Sequence, residues 1–273
     1  LGGVCRDRVR VYANGWSWGA ETPDDFARCA EQAVALGFTA LKFDPLVGPW
    51  RFFVVERDIQ MAVERMRAVR QVVGPDVELL VEVHRRLAPM YAVRLAHAIQ
   101  AFSPYWLEEP CPAENLDALA EVRSQVDIPV VTGETLYTKA DFMPVLHKRA
   151  ADILNPDVCN TGGILELREI AAMAEPHYVA VAPHNYNSTV LGLAATVHAS
   201  VTMPNFLITE YFVPFAELGR QISNQFEPQN GAISLPDAPG LGIEIDEEAL
   251  ESFPYRQFEK RNLRGPHDEG LWT

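Results

Sequence analysis

Nowhere in these 273 residues does an apolar run approach the roughly 18 consecutive positions a membrane-spanning helix requires. Basic residues are scarce: 23 Lys and Arg stand against 37 Asp and Glu, a formal net charge of −14. A surface that acidic repels phosphate backbones and anionic lipid, which argues against nucleic-acid and membrane partners. Cysteine is rare and scattered: Cys5, Cys29, Cys111 and Cys159 form no C-x-x-C pair and no disulfide-rich cluster. That usage suits a reducing cytoplasm, the expected location, with thiols as small core residues. The opening LGGVCRDRVRVYANG lacks the basic-then-apolar layout of a signal peptide. It reads as the interior of a longer protein, with a strand-like run beginning within ten residues of Leu1. What remains is ordinary globular composition, 48% hydrophobic and 22% charged, enough for one large domain or two small ones.

Short apolar, β-branched or aromatic runs recur along the chain, separated by amphipathic stretches. The pattern predicts strands at Val9–Asn14, Ala40–Pro45, Leu79–His84, Tyr105–Pro110, Ile128–Glu134, Ala151–Asp157, Tyr178–His184 and Phe206–Phe212. Helical patterns lie between them at Asp24–Leu36, Glu56–Val73, Tyr91–Phe102, Asn115–Gln125, Lys139–Lys148, Ile164–Ala174 and Ser188–Thr202. Eight strands alternating with helices indicate parallel βαβ units closed into a TIM-type (β/α)8 or modified (β/α)7β barrel. An open doubly wound sheet is the alternative, but no G-x-G-x-x-G follows the first strand. The barrel is expected over residues 1–215. Residues 216–273 break the rhythm and read as a C-terminal segment that returns to pack on something.

In a barrel of this type the active site lies at the carboxyl ends of the strands. The expected strands end in Lys42 and Asp44, Glu82 and His84, Glu108 and Glu109, Glu134, Asp157, His184 and Glu210. Each charge at the end of a buried strand costs several kcal/mol, on the order of 3–5, unless it is paired or metal-bound. A capping or loop role suffices for one such residue, but not for seven consecutive strands converging on one mouth. Glu82, Glu108 and Glu134 are spaced 26 residues apart, one βα unit each. A set of hard carboxylate oxygens without His or Cys suits Mg²⁺; the plainer alternative is ion pairing or helix capping.

The ordered segments ALKFDP, VEVHRR, WLEEP, TGE, NPDVCNTGG, APHN and ITEY resemble the enolase superfamily, in particular its mandelate racemase subgroup and the acid-sugar dehydratases within it. The resemblance runs from Val11 to about Leu241. It implies one Mg²⁺ held by Glu82, Glu108 and Glu134, a His184–Asp157 dyad as base, and Glu210 holding a substrate oxygen. Two positions depart from the pattern. The first metal ligand is Glu82 where Asp is common. The Lys-x-Lys of the racemases here reads Lys42-Phe43-Asp44, so Asp44 replaces the proton-abstracting lysine, which weakens a racemase reading. Such proteins also carry an N-terminal α+β capping domain, whereas these 273 residues read as barrel from the first strand onward. A preceding or separate segment is expected to supply it, with the tail after Ala216 packing on it.

The expected chemistry is dehydration of a sugar acid. His184 removes the proton next to the carboxylate, and a second group protonates the departing β-hydroxyl to give a 2-keto-3-deoxy acid. His84 stands two residues after Glu82 and so points the same way; the related dehydratases use a histidine there. A plainer role for His84 is a hydrogen bond to a metal ligand. Lys42 is an electrostatic partner of the substrate carboxylate or an ion-pair partner of Glu82 or Asp44. Asp44, Arg85 and Trp16 are candidate substrate contacts, with Trp18 and Trp50 as further pocket walls. Glu109 is expected to face away from Glu108 and pair structurally. Epimerisation or lactone cycloisomerisation using Lys42 and His184 is the runner-up, and a non-catalytic acid-sugar binder a third reading. The expected partner is a small sugar acid, with homo-oligomers from dimer to octamer common among such barrels.

Overall fold

A computed structural model describes residues 1–46, 52–186, 188–223 and 226–257. Eight parallel strands form one curled sheet: β1 (Arg8–Asn14), β2 (Ala40–Phe43), β3 (Glu78–Glu82), β4 (Pro104–Glu108), β5 (Val130–Thr132), β6 (Ile153–Leu154), β7 (Ala180–Val181) and β8 (Thr209–Phe212). Their order is β7-β6-β5-β4-β3-β2-β1-β8. The Val181 amide donates to Asn205 O at 2.9 Å and the Leu207 amide to Val181 O at 2.9 Å, so β7 meets the chain entering β8 and the sheet closes into the expected barrel.

The helices are α1 (Pro23–Ala35), α2 (Glu56–Val73), α3 (Pro89–Ile99), α4 (Leu116–Gln125), α5 (Lys139–Lys148), α6 (Val158–Thr161), α7 (Ile164–Ala174), α8 (Thr189–Ser200), α9 (Ala216–Ile222) and α10 (Glu247–Leu250). Several starts are encoded locally. The Thr22 hydroxyl accepts from the Asp25 amide at 3.2 Å while Asp25 accepts from the Thr22 amide at 3.1 Å, a reciprocal cap followed by Pro23 in the first turn. Asn115 accepts from the Ala118 amide at 3.2 Å to open α4. Leu119 and Val122 of that helix are buried, with Leu116 and Ala120 packed beside the core.

The late strands are shorter than the apolar runs that predicted them. At β5 the ladder stops at Gly133 (φ +140°), whose amide turns to Glu109 Oε1. Pro156 and Pro183 have no amide to donate beyond β6 and β7. The charged residues of these runs therefore stand on the loops just past the strands.

Inside the barrel, Tyr12, Ala40, Leu80, Trp106, Val131, Ile153, Ala182 and Ile208 contribute one residue per strand to a closed apolar layer. Tyr12 and Trp106 meet edge to face at 5.4 Å. The larger cluster lies between strands and helices. After α9 the chain forms β9 (Ala232–Ser234), antiparallel to the amino-terminal half of β1, with Val9 opposite Ile233. Ile222, Phe226 and Ile233 are buried. Residues 258–273 lie outside the described residues.

Leu80 sits in the interior layer with no solvent exposure. Leu80→Ala is expected to cost about 2–5 kcal/mol in urea unfolding; a loss under about 1 kcal/mol would mean the barrel interior collapses onto the gap.

Candidate active site

Side chains alternate along a strand, so the residue two positions beyond each interior apolar one faces the same axis, one layer higher. That places Asn14, Lys42, Glu82, Glu108, Asn155, His184 and Glu210 directly above Tyr12, Ala40, Leu80, Trp106, Ile153, Ala182 and Ile208. Glu134 joins this polar layer from three residues beyond Val131, because Gly133 breaks the alternation. An open cavity of about 370 Å³ lies above, lined among others by Lys42, Asp44, Glu82, His84, Arg85, Glu134 and His184.

Lys42 is the charge at the centre. Its Nζ lies 2.7 Å from Glu108, 3.5 Å from Glu82 and 3.5 Å from Glu210, and the side chain is 2% exposed. Burial alone would lower its pKa, but Glu108 and Glu210 carry it well above the ordinary lysine value. Glu108 also accepts from Trp106 Nε1 at 3.0 Å and Asn155 Nδ2 at 2.9 Å.

Glu82, Glu108 and Glu134 each bring an oxygen within 4.8 Å of the others'. Burial, then the neighbouring Glu134 charge, raises Glu82 to about 7, and burial beside Glu82 raises Glu108 well above the carboxylate range. Glu134 goes the other way, to about 2, since His184 and Arg85 outweigh its burial. Three converging oxygens, two of them on carboxyls whose charged form burial disfavours, could hold a hard divalent cation.

His184 Nδ1 lies 2.7 Å from Asp157 Oδ2, whose other oxygen caps α6 through the Cys159 amide at 2.7 Å. His184 Nε2 stands 3.4 Å from Glu210 and 3.5 Å from Glu134. Burial would lower the imidazole, but Glu210, Asp157 and Glu134 together raise it to about 9. Glu210 and Glu134 both face Nε2, so neutralising either returns the ring toward its ordinary range. Glu210 is fixed by the Asn185 amide at 2.9 Å and by Asn14 Nδ2.

β3 and β7 are four strands apart either way round the ring, so His84 lies on the wall opposite His184. Its Nδ1 is 2.9 Å from Asp44 Oδ2, and its amide donates to Glu82 at 2.6 Å. Arg86 pairs with Asp44. Burial would raise Asp44, but Arg86 and His84 hold it down at about 2. Arg85 pairs with Glu134, its guanidinium turned to the acidic trio. Glu109 points away from Glu108, accepting from Thr132 Oγ1 at 2.8 Å and the Gly133 amide at 2.9 Å.

Trp16 does not reach the cavity. It is buried against Phe26 and Phe43, and Trp18, 73% exposed and 6.3 Å from Phe212, lines the opening instead. The chain turns from Gly15 (φ +74°), whose carbonyl accepts from the Trp18 amide at 3.1 Å, and a Cβ on Gly15 would come within 2.5 Å of Phe212. Trp50 lies outside the described residues. The sequence reading missed Asn14, Asn155, Asn185 and Tyr186. The strand period finds two of them, Asn14 and Asn155, as the inward residues of β1 and the β6 run.

A closed ring of eight parallel strands with its ionisable groups gathered at their carboxyl ends is the architecture of a TIM-type enzyme barrel. The chain belongs to the enolase C-terminal domain-like family, whose family model matches residues 25–249. It is 34% identical to a D-gluconate dehydratase of Thermoproteus tenax over 93% of this chain and 51% of that protein. It is also 34% identical to a D-galactarolactone cycloisomerase of Agrobacterium fabrum, over 93% of this chain and 67% of that protein. The chain thus spans about half of the first relative and two thirds of the second. A mandelate racemase/muconate lactonizing enzyme-like protein from Rubrobacter xylanophilus superposes with a TM-score of 0.85 at 35% identity, covering 93% of this chain and 70% of that one.

Lys42→Met removes the buried cation from three carboxylates. Thermal and urea unfolding are expected to show a loss of about 3–5 kcal/mol; an unchanged stability would mean those carboxylates are already protonated.

Proposed function

We propose that this barrel catalyses the Mg²⁺-dependent dehydration of a sugar acid, an aldonate or aldarate. One observation carries the reading: two histidines, each hydrogen-bonded to an aspartate, line opposite walls of one cavity whose floor holds the acidic trio. Glu82, Glu108 and Glu134 would hold the ion, which supplies Lewis-acid stabilisation of negative charge on the substrate carboxylate. His184 Nε2 takes the α-proton, with Asp157 fixing the Nδ1–H tautomer and stabilising the imidazolium. Lys42 faces the substrate carboxylate as a fixed positive charge. His84 gives a proton to the β-hydroxyl, which leaves as water, and the resulting enol tautomerises to the 2-keto-3-deoxy acid.

Epimerisation or cycloisomerisation through Lys42 is less well supported. A base must shed its proton: Lys42 stays within 3.5 Å of Glu82, Glu108 and Glu210, whereas the Glu134 that helps raise His184 would be engaged by the ion.

Three measurements test the reading. A screen of hexonates, pentonates and aldarates, with 2-keto-3-deoxy products trapped as semicarbazones, is expected to give a Mg²⁺-dependent hit abolished by EDTA. Deuterium wash-in at the α-carbon without keto product would move the assignment to epimerase or cycloisomerase. His184→Asn is expected to stop that wash-in; surviving exchange would assign the base elsewhere. Glu134→Gln is expected to weaken Mg²⁺ binding by at least about 10-fold in calorimetry, and unchanged affinity would remove Glu134 from the ligand set.

A further inference from the structure

The turn after β3 holds two successive non-glycine residues in the left-handed region, His84 at φ +55° and Arg85 at φ +62°. Such a pair is costly and persists only where the surroundings impose it. Here it fans three consecutive side chains apart: His84 and Arg86 turn to Asp44 beyond β2, and Arg85 turns to Glu134 beyond β5.

Both oxygens of Asp44 are engaged. Oδ2 meets His84 Nδ1 at 2.9 Å, while Oδ1 accepts from the Leu46 amide at 2.9 Å and from Arg86 Nη2. The Arg86 side chain is itself 3% exposed. A carboxylate clamped in this way does not turn to grip a substrate hydroxyl, the role its position in the sequence suggests. We infer that Asp44, anchored by Arg86, is the positioning residue for His84, fixing the ring and its tautomer so that the proton transferred is the one on Nε2. The inference rests on the dehydratase reading above.

The chemistry follows from where the protons sit. A carboxylate on Nδ1 keeps one proton there. In the elimination the electron pair left at the α-carbon forms the carbon–carbon double bond, and the bond to the β-hydroxyl breaks. The Nε2 proton joins that oxygen, and water leaves. His84 is then neutral, with Nδ1–H still donated to Asp44. The opposite wall carries the same arrangement in His184 and Asp157, at 2.7 Å, with Nε2 as the working nitrogen. The cavity thus has two aspartate-oriented imidazoles, one set to take a proton and the other to give one.

The test compares Asp44→Asn, His84→Asn and the double variant, reading α-deuterium wash-in and keto-acid formation on the same substrate. Asp44→Asn is expected to slow keto-acid formation about 100-fold while wash-in stays within about 3-fold, and the double variant to match His84→Asn alone. Arg86→Lys, which keeps the charge, is expected to retain more keto-acid formation than Arg86→Gln. Equal loss of both readouts in Asp44→Asn, or losses that multiply in the double variant, would overturn the inference. A readout independent of turnover separates it from the functional reading. ¹⁵N-histidine NMR, read at a pH where the ring is neutral, is expected to show His84 as the Nδ1–H tautomer, becoming mixed in Asp44→Asn. An unchanged tautomer would refute the positioning role whatever the substrate proves to be, whereas a wild-type protein inert toward every sugar acid would refute the dehydratase reading alone.

Discussion

Everything at the mouth of this barrel depends on Lys42 being buried among carboxylates. A lysine with 2% exposure survives as a cation only because Glu82, Glu108 and Glu210 surround it, and they survive as near neighbours only because it stands among them. The charges remain unequal even so. Glu82 and Glu108 are pushed up, Glu134 is pulled down, and His184 is raised by the carboxylates facing it. This is a site whose polar layer is under electrostatic tension, which groups settled only for stability would not keep. Trp106 and Asn155 absorb part of it by donating to Glu108 from the apolar layer below and from the end of β6, two strands away.

That tension is tolerable because a rigid apolar layer lies directly beneath. Each strand run except that of β5 places one residue in the lower layer and, two positions on, one in the upper. The lower residues exclude water from below, which strengthens every interaction above them. The same parity explains why so few side chains suffice. Once Tyr12, Leu80 and Trp106 are fixed inward, Asn14, Glu82 and Glu108 have no other direction to take.

The eight strands and the seven helical stretches between them could be read from hydrophobic period, and α2, α5 and α7 match their patterns residue for residue. So could Lys42, Glu82, Glu108, His184 and Glu210, which obey the strand period. The remainder depended on backbone geometry that residue types do not reveal. The pairing of Asp44 was not legible, because nothing in VEVHRR announces two left-handed residues that bring His84 and Arg86 onto it. Trp16 and Trp18 were indistinguishable in sequence. The turn closed by the Trp18 amide on the Gly15 carbonyl leaves one in the core and the other at the opening. Strand lengths were overestimated where proline or Gly133 ends the ladder early while the apolar pattern continues.

β1 has an unusual set of neighbours. Among the described residues it pairs with β2 at once, but also with β8, Val11 against Thr209, and with β9, Val9 against Ile233. Contacts separated by about 200 residues carry a large loop-closure entropy before they return any stabilisation. Synthesised from its amino end, β1 must wait through almost the whole barrel for two of its three partners. Until β8 emerges, the growing sheet has two open edges, and β1 is one of them. Ring closure around the polar layer must therefore wait for β8, and until then the nascent chain carries open strand edges exposed to association with its neighbours.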